Sequence, residues 1–255
     1  MPGDAIILVG DRGGRIRSFV DALTRFPAEP QWSVVGGFAV NIRINHVHRL
    51  TNDLDTVSRD QTSLVEILVT ELDAERLNAA KLQFDQDGTN VVVDVMADTA
   101  NVSLPIEPGE RAFALARHMA LATSEWTGLQ VVEGRDIIAE ASAPIATVPA
   151  LIVLKTVAIP RRSRGNSPEK VGSDIHDLVR LVQGCDFDAV EHAISEAGDE
   201  LREWVGKTLV KWFSPVQDLR YTYARLRRLA RLTDAEVLTE DDLATAAELG
   251  LVLLD

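Results

Sequence analysis

The chain has 255 residues, and its 26 basic against 39 acidic side chains leave a net charge of −13. That balance argues against a general nucleic-acid coat protein, though not against a local basic surface. A single cysteine, Cys185, excludes a disulfide framework and a Cys-based zinc site, and reads as a small core hydrophobe. No stretch approaches a membrane span and no basic-then-apolar leader opens the chain, so a cytoplasmic protein without a membrane partner is expected.

In chain order, Ala5 to Val9 reads as a short strand, and Arg15 to Phe26 as a helix with Ile16, Phe19, Val20 and Leu23 on its inner face. Trp32 to Val35 reads as a strand running into Gly36-Gly37, followed by a short helix from Phe38 to Ile44. Asp53 to Val57 is a strand and Thr62 to Leu77 a helix. Lys81 to Phe84 and Asn90 to Met96 flank Asp87-Gly88, a strong hairpin signal. Arg111 to Thr123 reads as helix and Gly128 to Val132 as a further strand.

From Pro149 the pattern is helical. Leu151, Leu154 and Ala158 mark an apolar stripe with Lys155 beside it, and Asp174 and Asp177, three apart, share a face of the next helix. Further helices are expected over Asp186 to Glu196, Asp199 to Phe213, Pro215 to Leu232 and Glu240 to Leu249, with Pro160 to Glu169 as linker. Two domains follow, residues 1–148 and residues 149–255.

Three stretches carry the chemistry. Gly36-Gly37 follows a strand, so backbone can approach a phosphate closely. Asp53 and Asp55 sit two apart in a strand and point to one side, and Asp94 interrupts an apolar run that looks buried on both faces. Three carboxylates at one place repel unless cations neutralise them, and Mg²⁺ or Mn²⁺ prefers oxygen ligands. The set reads as a metal-dependent site for a nucleoside triphosphate. Each part alone has a plain structural explanation; the order of Gly-Gly, then D-x-D, then a third strand Asp is far more specific. His46 and His48 lie near the acidic strand, but no H-E-x-x-H accompanies them, which favours a turn or substrate contact over metal binding. A Walker loop and a G-x-S-x-G elbow are both absent.

At Gly36-Gly37-Phe38-Ala39 and Arg49-Leu50-Thr51-Asn52-Asp53-Leu54-Asp55 the chain resembles the DNA polymerase β-like nucleotidyltransferases, and most closely their AbiEii/MenT-type toxin branch. Lys155 and the Asp174-Ile175-His176-Asp177-Leu178 helix match that branch's later landmarks, so the resemblance spans about Gly36 to Leu181. Ser173 stands where the branch commonly has Arg or Lys; Lys170 and Arg164 are the candidate substitutes.

The resemblance implies an α/β (α+β) fold, with a polymerase β-like core carrying a small mixed sheet and then a C-terminal helical bundle. It implies transfer of a nucleotidyl group from an NTP, often a pyrimidine triphosphate, to the 3′ end of tRNA, by a bacterial toxin paired with an antitoxin. Asp53, Asp55 and Asp94 would hold Mg²⁺ (or Mn²⁺). Gly36, Gly37, Arg49, Thr51 and Lys155 would bind nucleotide, and Asp174 and Asp177 would organise the site. Two other readings share these motifs: a small-molecule transferase acting on an aminoglycoside- or lincosamide-type antibiotic, and a non-catalytic nucleotide-binding module.

Two dense basic segments are candidate acceptor contacts. Arg161, Arg162, Arg164 and Lys170 lie in one loop. The segment from Arg220 to Arg231 reads as a helix with five arginines and two tyrosines, suited to phosphate pairing and base stacking.

Overall fold

A single eight-stranded mixed sheet organises the first half of the molecule. Its strands are β1 (Ile6–Val9), β2 (Trp32–Val34), β3 (Asp53–Ser58), β4 (Glu75–Arg76), β5 (Lys81–Gln86), β6 (Thr89–Ala97), β7 (Glu125–Glu133) and β8 (Asp136–Ile145), in the order β1-β7-β8-β2-β3-β6-β5-β4. The computed structural model describes residues 5–11, 13–49, 51–100, 102–165, 167–214, 228–229 and 237–255. The chain forms two units, one of residues 1–101 and 120–147, the other of residues 102–119 and 148–255.

In the first unit the sheet carries α1 (Arg15–Leu23), α2 (Gly36–Arg43) and α3 (Gln61–Glu71). Asp11 accepts from the Ile16 N–H at 2.8 Å and so holds the start of α1. That helix buries Ile16, Phe19, Val20 and Leu23, and the Phe19 ring meets Phe38 of α2 edge-on at 5.2 Å. These are the apolar positions that the helical spacing singles out. Helix α3 starts at Asp60, whose carboxylate accepts from the Ser63 N–H at 3.0 Å. It ends sooner than the expected Leu77: Asp73 takes a left-handed conformation (φ 51°) and the chain turns into β4.

The β5–β6 hairpin turns at Asp87-Gly88 with both residues at positive φ (51° and 81°), the geometry a two-residue turn requires. Strand β8 is absent from the sequence reading. Its sequence, Asp-Ile-Ile-Ala-Glu-Ala-Ser-Ala-Pro-Ile, is rich in Ala and Ser and contains Pro, so propensity hides it. It forms because β7 supplies an antiparallel partner along its length.

The second unit is helical: most of α4 (Pro108–Ala122), then α5 (Val148–Ser163), α6 (Pro168–Gln183), α7 (Phe187–Glu196), α8 (Asp199–Phe213) and α9 (Glu240–Val252). Helix α5 is buried from Ala150 to Ile159. It continues past Pro160 to Ser163, and α6 already begins at Pro168, so the expected linker from Pro160 to Glu169 is helix at both ends. Asp186 caps α7 by accepting from the Asp188 N–H at 3.0 Å, and Thr239 with Asp242 forms a reciprocal capping box on α9. Apart from Arg228 and Leu229, the expected Arg220 to Arg231 helix lies outside the described residues. Among the described residues no helix is long and apolar enough to cross a membrane.

Candidate active site

Strands β3 and β6 run parallel with Asp55 opposite Asp94 and Asp53 opposite Val92. Paired positions of neighbouring strands share a face, as do residues two apart. Asp53, Asp55 and Asp94 therefore stand on one side of the sheet, each partly exposed. Leu54, Val93 and Val95 are fully buried on the other side. The expectation that the run around Asp94 is buried on both faces is corrected by this: Val92, Asp94 and Met96 are only partly covered. A valine-rich run suits a strand with one packed face as well as one with two.

The diglycine is fitted to these carboxylates. Gly36 has φ 70°, and a Cβ there would lie 2.7 Å from both Cβ and Cγ of Asp55. A Cβ on Gly37 would lie 2.5 Å from Arg49 Nη2 and 3.2 Å from Thr51 Oγ1. The Val35 N–H donates to the Asp55 carbonyl at 2.9 Å, which joins the end of β2 to the acidic strand. Helix α2 then begins at Gly36, so its first N–H groups and the positive end of its dipole lie beside Asp55. Thr51 donates to the Asp53 carbonyl at 3.2 Å, and Asn41 to the Arg49 carbonyl at 3.1 Å. Gly36, Gly37, Arg49, Thr51, Asp53, Asp55 and Asp94 are thus one structural cluster. His46 and His48 belong to the turn after α2, where the His46 N–H donates to the Asn41 carbonyl at 3.2 Å.

Lys81, which the sequence reading did not single out, completes the cluster's electrostatics. Its ammonium is 3.5 Å from Asp94 Oδ2. The Asp87-Gly88 turn could have identified it: a two-residue turn there puts Lys81 opposite Asp94. The donors on this face are carboxylate oxygens, and Asp55 and Asp94 are direct cross-strand neighbours, which suits a hard divalent cation. Among the described residues, no three His, Cys, Asp or Glu side chains already converge as an ion cage.

The second unit holds an ionic cluster of a different kind. Lys155 of α5 reaches Asp177 at 2.7 Å and Asp174 at 3.2 Å, and Arg162 reaches Asp174 at 2.6 Å. The side chains of Asp174 and Asp177 are 1% and 0% exposed, that of Lys155 8% and that of Arg162 42%. Helical spacing accounts for the set. Asp174 and Asp177 are one turn apart, and Arg162 follows Lys155 by seven residues, two turns along the same face. That period was the available signal for Arg162 as the partner of Asp174.

The remaining basic candidates are placed as follows. Arg161 pairs with Glu110 at 2.8 Å and lies over the Phe113 ring at 4.6 Å. Arg164 and Lys170 are exposed.

A family model for the nucleotidyl transferase AbiEii toxin of type IV toxin–antitoxin systems matches residues 18–250. Among solved structures, JHP933 from Helicobacter pylori is similar with a TM-score of 0.53 and 11% identity, over 96% of this chain and 93% of that one. A second Helicobacter pylori chain, provisionally described as a nucleotidyltransferase, gives a TM-score of 0.48 at 12% identity, over 96% and 95%. An antigenic nucleotidyltransferase-like protein from Paracoccidioides brasiliensis gives 0.39 at 15% identity, over 82% and 87%. At such identities the first likeness concerns the fold alone, and the other two carry no argument. Curated proteins gave no significant match.

Proposed function

The chain belongs to the AbiEii nucleotidyltransferase toxin family, and from that premise we propose that it transfers a nucleoside monophosphate from an NTP to the 3′ end of tRNA. Nucleotidyl transfer is the activity of the class, and membership of a type IV toxin–antitoxin family implies an antitoxin and a nucleotide substrate. The observation that carries the site assignment is the register of β3 with β6. It brings Asp53, Asp55 and Asp94 to one sheet face beside the N-terminus of α2.

Asp53, Asp55 and Asp94 would hold a divalent cation, Mg²⁺ or Mn²⁺, which supplies charge neutralisation for the triphosphate. In this reading the N–H groups at Gly36 and Gly37 receive a phosphate as at other helix N-termini. Arg49, fixed against Gly37, offers a planar donor to the nucleotide. Thr51 holds the backbone at Asp53. Asp94 accepts the proton of the attacking hydroxyl as it bonds to the α-phosphorus and pyrophosphate departs. Lys81, paired with Asp94, keeps that carboxylate in place until the acceptor arrives. Lys155, oriented by Asp174 and Asp177, contributes a cationic donor to the phosphates. The cations Arg161, Arg162, Arg164 and Lys170 contact the acceptor backbone.

The test is incubation with each α-labelled NTP, Mg²⁺ and total tRNA, with an aminoglycoside panel in parallel. Label on tRNA supports the reading, and label only on the drugs overturns the acceptor. Reversing Arg164 and Lys170 to Glu probes the acceptor surface without breaking the pairs made by Arg161 and Arg162. It should lower the salt dependence of tRNA binding by about 0.7–0.9 units of slope per lost phosphate contact.

A further inference from the structure

The first unit has a concave site away from the acidic cluster, at the far end of the strands that carry it. A cavity of about 550 Å³ is lined by Glu29, Gln31, Arg59, Ser124 and Trp126, with Pro30, Trp32 and Pro144 among its other walls. Arg59 follows β3, four residues beyond Asp55 and six beyond Asp53, which is about 13–20 Å along the strand from the acidic cluster. No residue of the transfer cluster lines this cavity.

Its chemistry is specific. Trp126 is 65% exposed, unusual for so large an apolar side chain, and it stands opposite buried Pro144 in the β7–β8 register. Its neighbour Trp32 is spent on the core: its indole N–H donates to the Pro27 carbonyl at 2.7 Å and its ring packs on Phe26 at 4.7 Å. Arg59 is held by Asp98, whose carboxylate is fully buried, at 2.8 Å, and it also donates to Gln31 at 3.5 Å. The guanidinium is therefore fixed, with its charge largely balanced. Glu29 adds an acceptor and a negative charge. Such a site is poor for phosphate, because the acidic groups outnumber the one cation. It suits a neutral planar ring that has an apolar face for Trp126, acceptors for Arg59 and donors for Glu29.

We propose that this cavity binds a nucleobase, and guanine best. Guanine offers O6 and N7 acceptors to an arginine on one edge and N–H donors to a carboxylate on another. The volume falls within the range of small-ligand clefts. The base can come from an unstacked position in RNA or from a free nucleoside. The site does not depend on the transfer reading, since binding is measured without any transfer.

The test is tryptophan fluorescence of the full chain titrated with guanosine, adenosine, cytidine and uridine, and with ribose 5-phosphate. The expected result is saturable quenching that is strongest with guanosine and absent with ribose 5-phosphate. Trp126→Phe retains a ring but loses most of the signal, and Trp126→Ala weakens guanosine binding, followed by equilibrium dialysis, at least about fivefold. Glu29→Gln weakens guanosine more than uridine. A short single-stranded RNA carrying one guanine, compared with its abasic counterpart, separates the two sources: tighter binding than guanosine points to RNA, and equal binding to a nucleoside. No saturable quenching by any base, or the same guanosine affinity in Trp126→Ala with an unchanged circular dichroism spectrum, overturns the proposal. Since none of these residues belongs to the transfer cluster, loss of base binding with intact transfer, or the reverse, tells which reading has failed.

Discussion

The two carboxylate groups of this protein sit in opposite physical circumstances. Asp53, Asp55 and Asp94 stand partly exposed on a sheet face, against a helix start stripped of side chains by Gly36 and Gly37. Asp174 and Asp177 are buried between helices and clamped by Lys155 and Arg162. Gathering like charges at a surface costs stability unless a cation intervenes, and Lys81 beside Asp94 supplies only part of that compensation. Burying charges is tolerable only with partners in place, so the second group is tied to the integrity of the helical unit. On the proposed reading the same residue type faces the nucleotide directly in one unit, and in the other it ties two helices together while orienting Lys155.

The sharpest way to break this contrast is at Asp53 or Asp55. Replacing either with Asn or Ala should lower nucleotidyl transfer by several orders of magnitude, with a melting temperature unchanged or raised, because a like-charge neighbour has gone. Calorimetry beside a transfer assay reads both. In the helical unit stability falls as well. Lys155→Met leaves two buried carboxylates short of a cation and should cost about 3–5 kcal/mol of stability, visible as a shifted denaturant midpoint. Arg162→Gln should cost less, since 42% of that side chain is exposed to water.

Gly36→Ala should combine both effects. The left-handed backbone (φ 70°) costs a non-glycine residue about 1–3 kcal/mol, and the new methyl group displaces the Asp55 carboxylate. A crystal structure of the variant with Asp55 unmoved would count against the steric fit. The smallest effect concerns Cys185, which is partly buried rather than a full core residue. Burial pushes its thiol up from 9.0 to about 11. Its stabilising contribution is therefore complete below pH 9.0 and lost as pH rises toward about 11, and iodoacetamide should label it slowly at pH 8. Rapid labelling of the folded chain at pH 8 would contradict this.

Much of the fold was legible because its elements obey local rules. The period of Ile16, Phe19, Val20 and Leu23 gave α1, and Asp87-Gly88 gave the hairpin. The acidic cluster was legible for the same reason: strand alternation aligns Asp53 with Asp55. What remained hidden depends on partners distant in sequence. Strand β8 exists through its pairing with β7, not through its own composition. For the pairing of Asp174 with Arg162 the seven-residue spacing from Lys155 was a signal, but the local basic cluster invited a loop reading that masked it. The cavity beside Trp126 gathers residues from four separated segments, and no motif connects Glu29, Arg59 and Trp126.

The central claim is that the exposed carboxylate face performs transfer. It is tested most directly by giving wild type and Asp55→Asn the same α-labelled NTP, Mg²⁺ and total tRNA, with the melting temperature of each preparation measured alongside. The account predicts label on tRNA with wild type, none with Asp55→Asn, and equal or higher thermal stability for the variant. Undiminished labelling by a folded Asp55→Asn protein would contradict it.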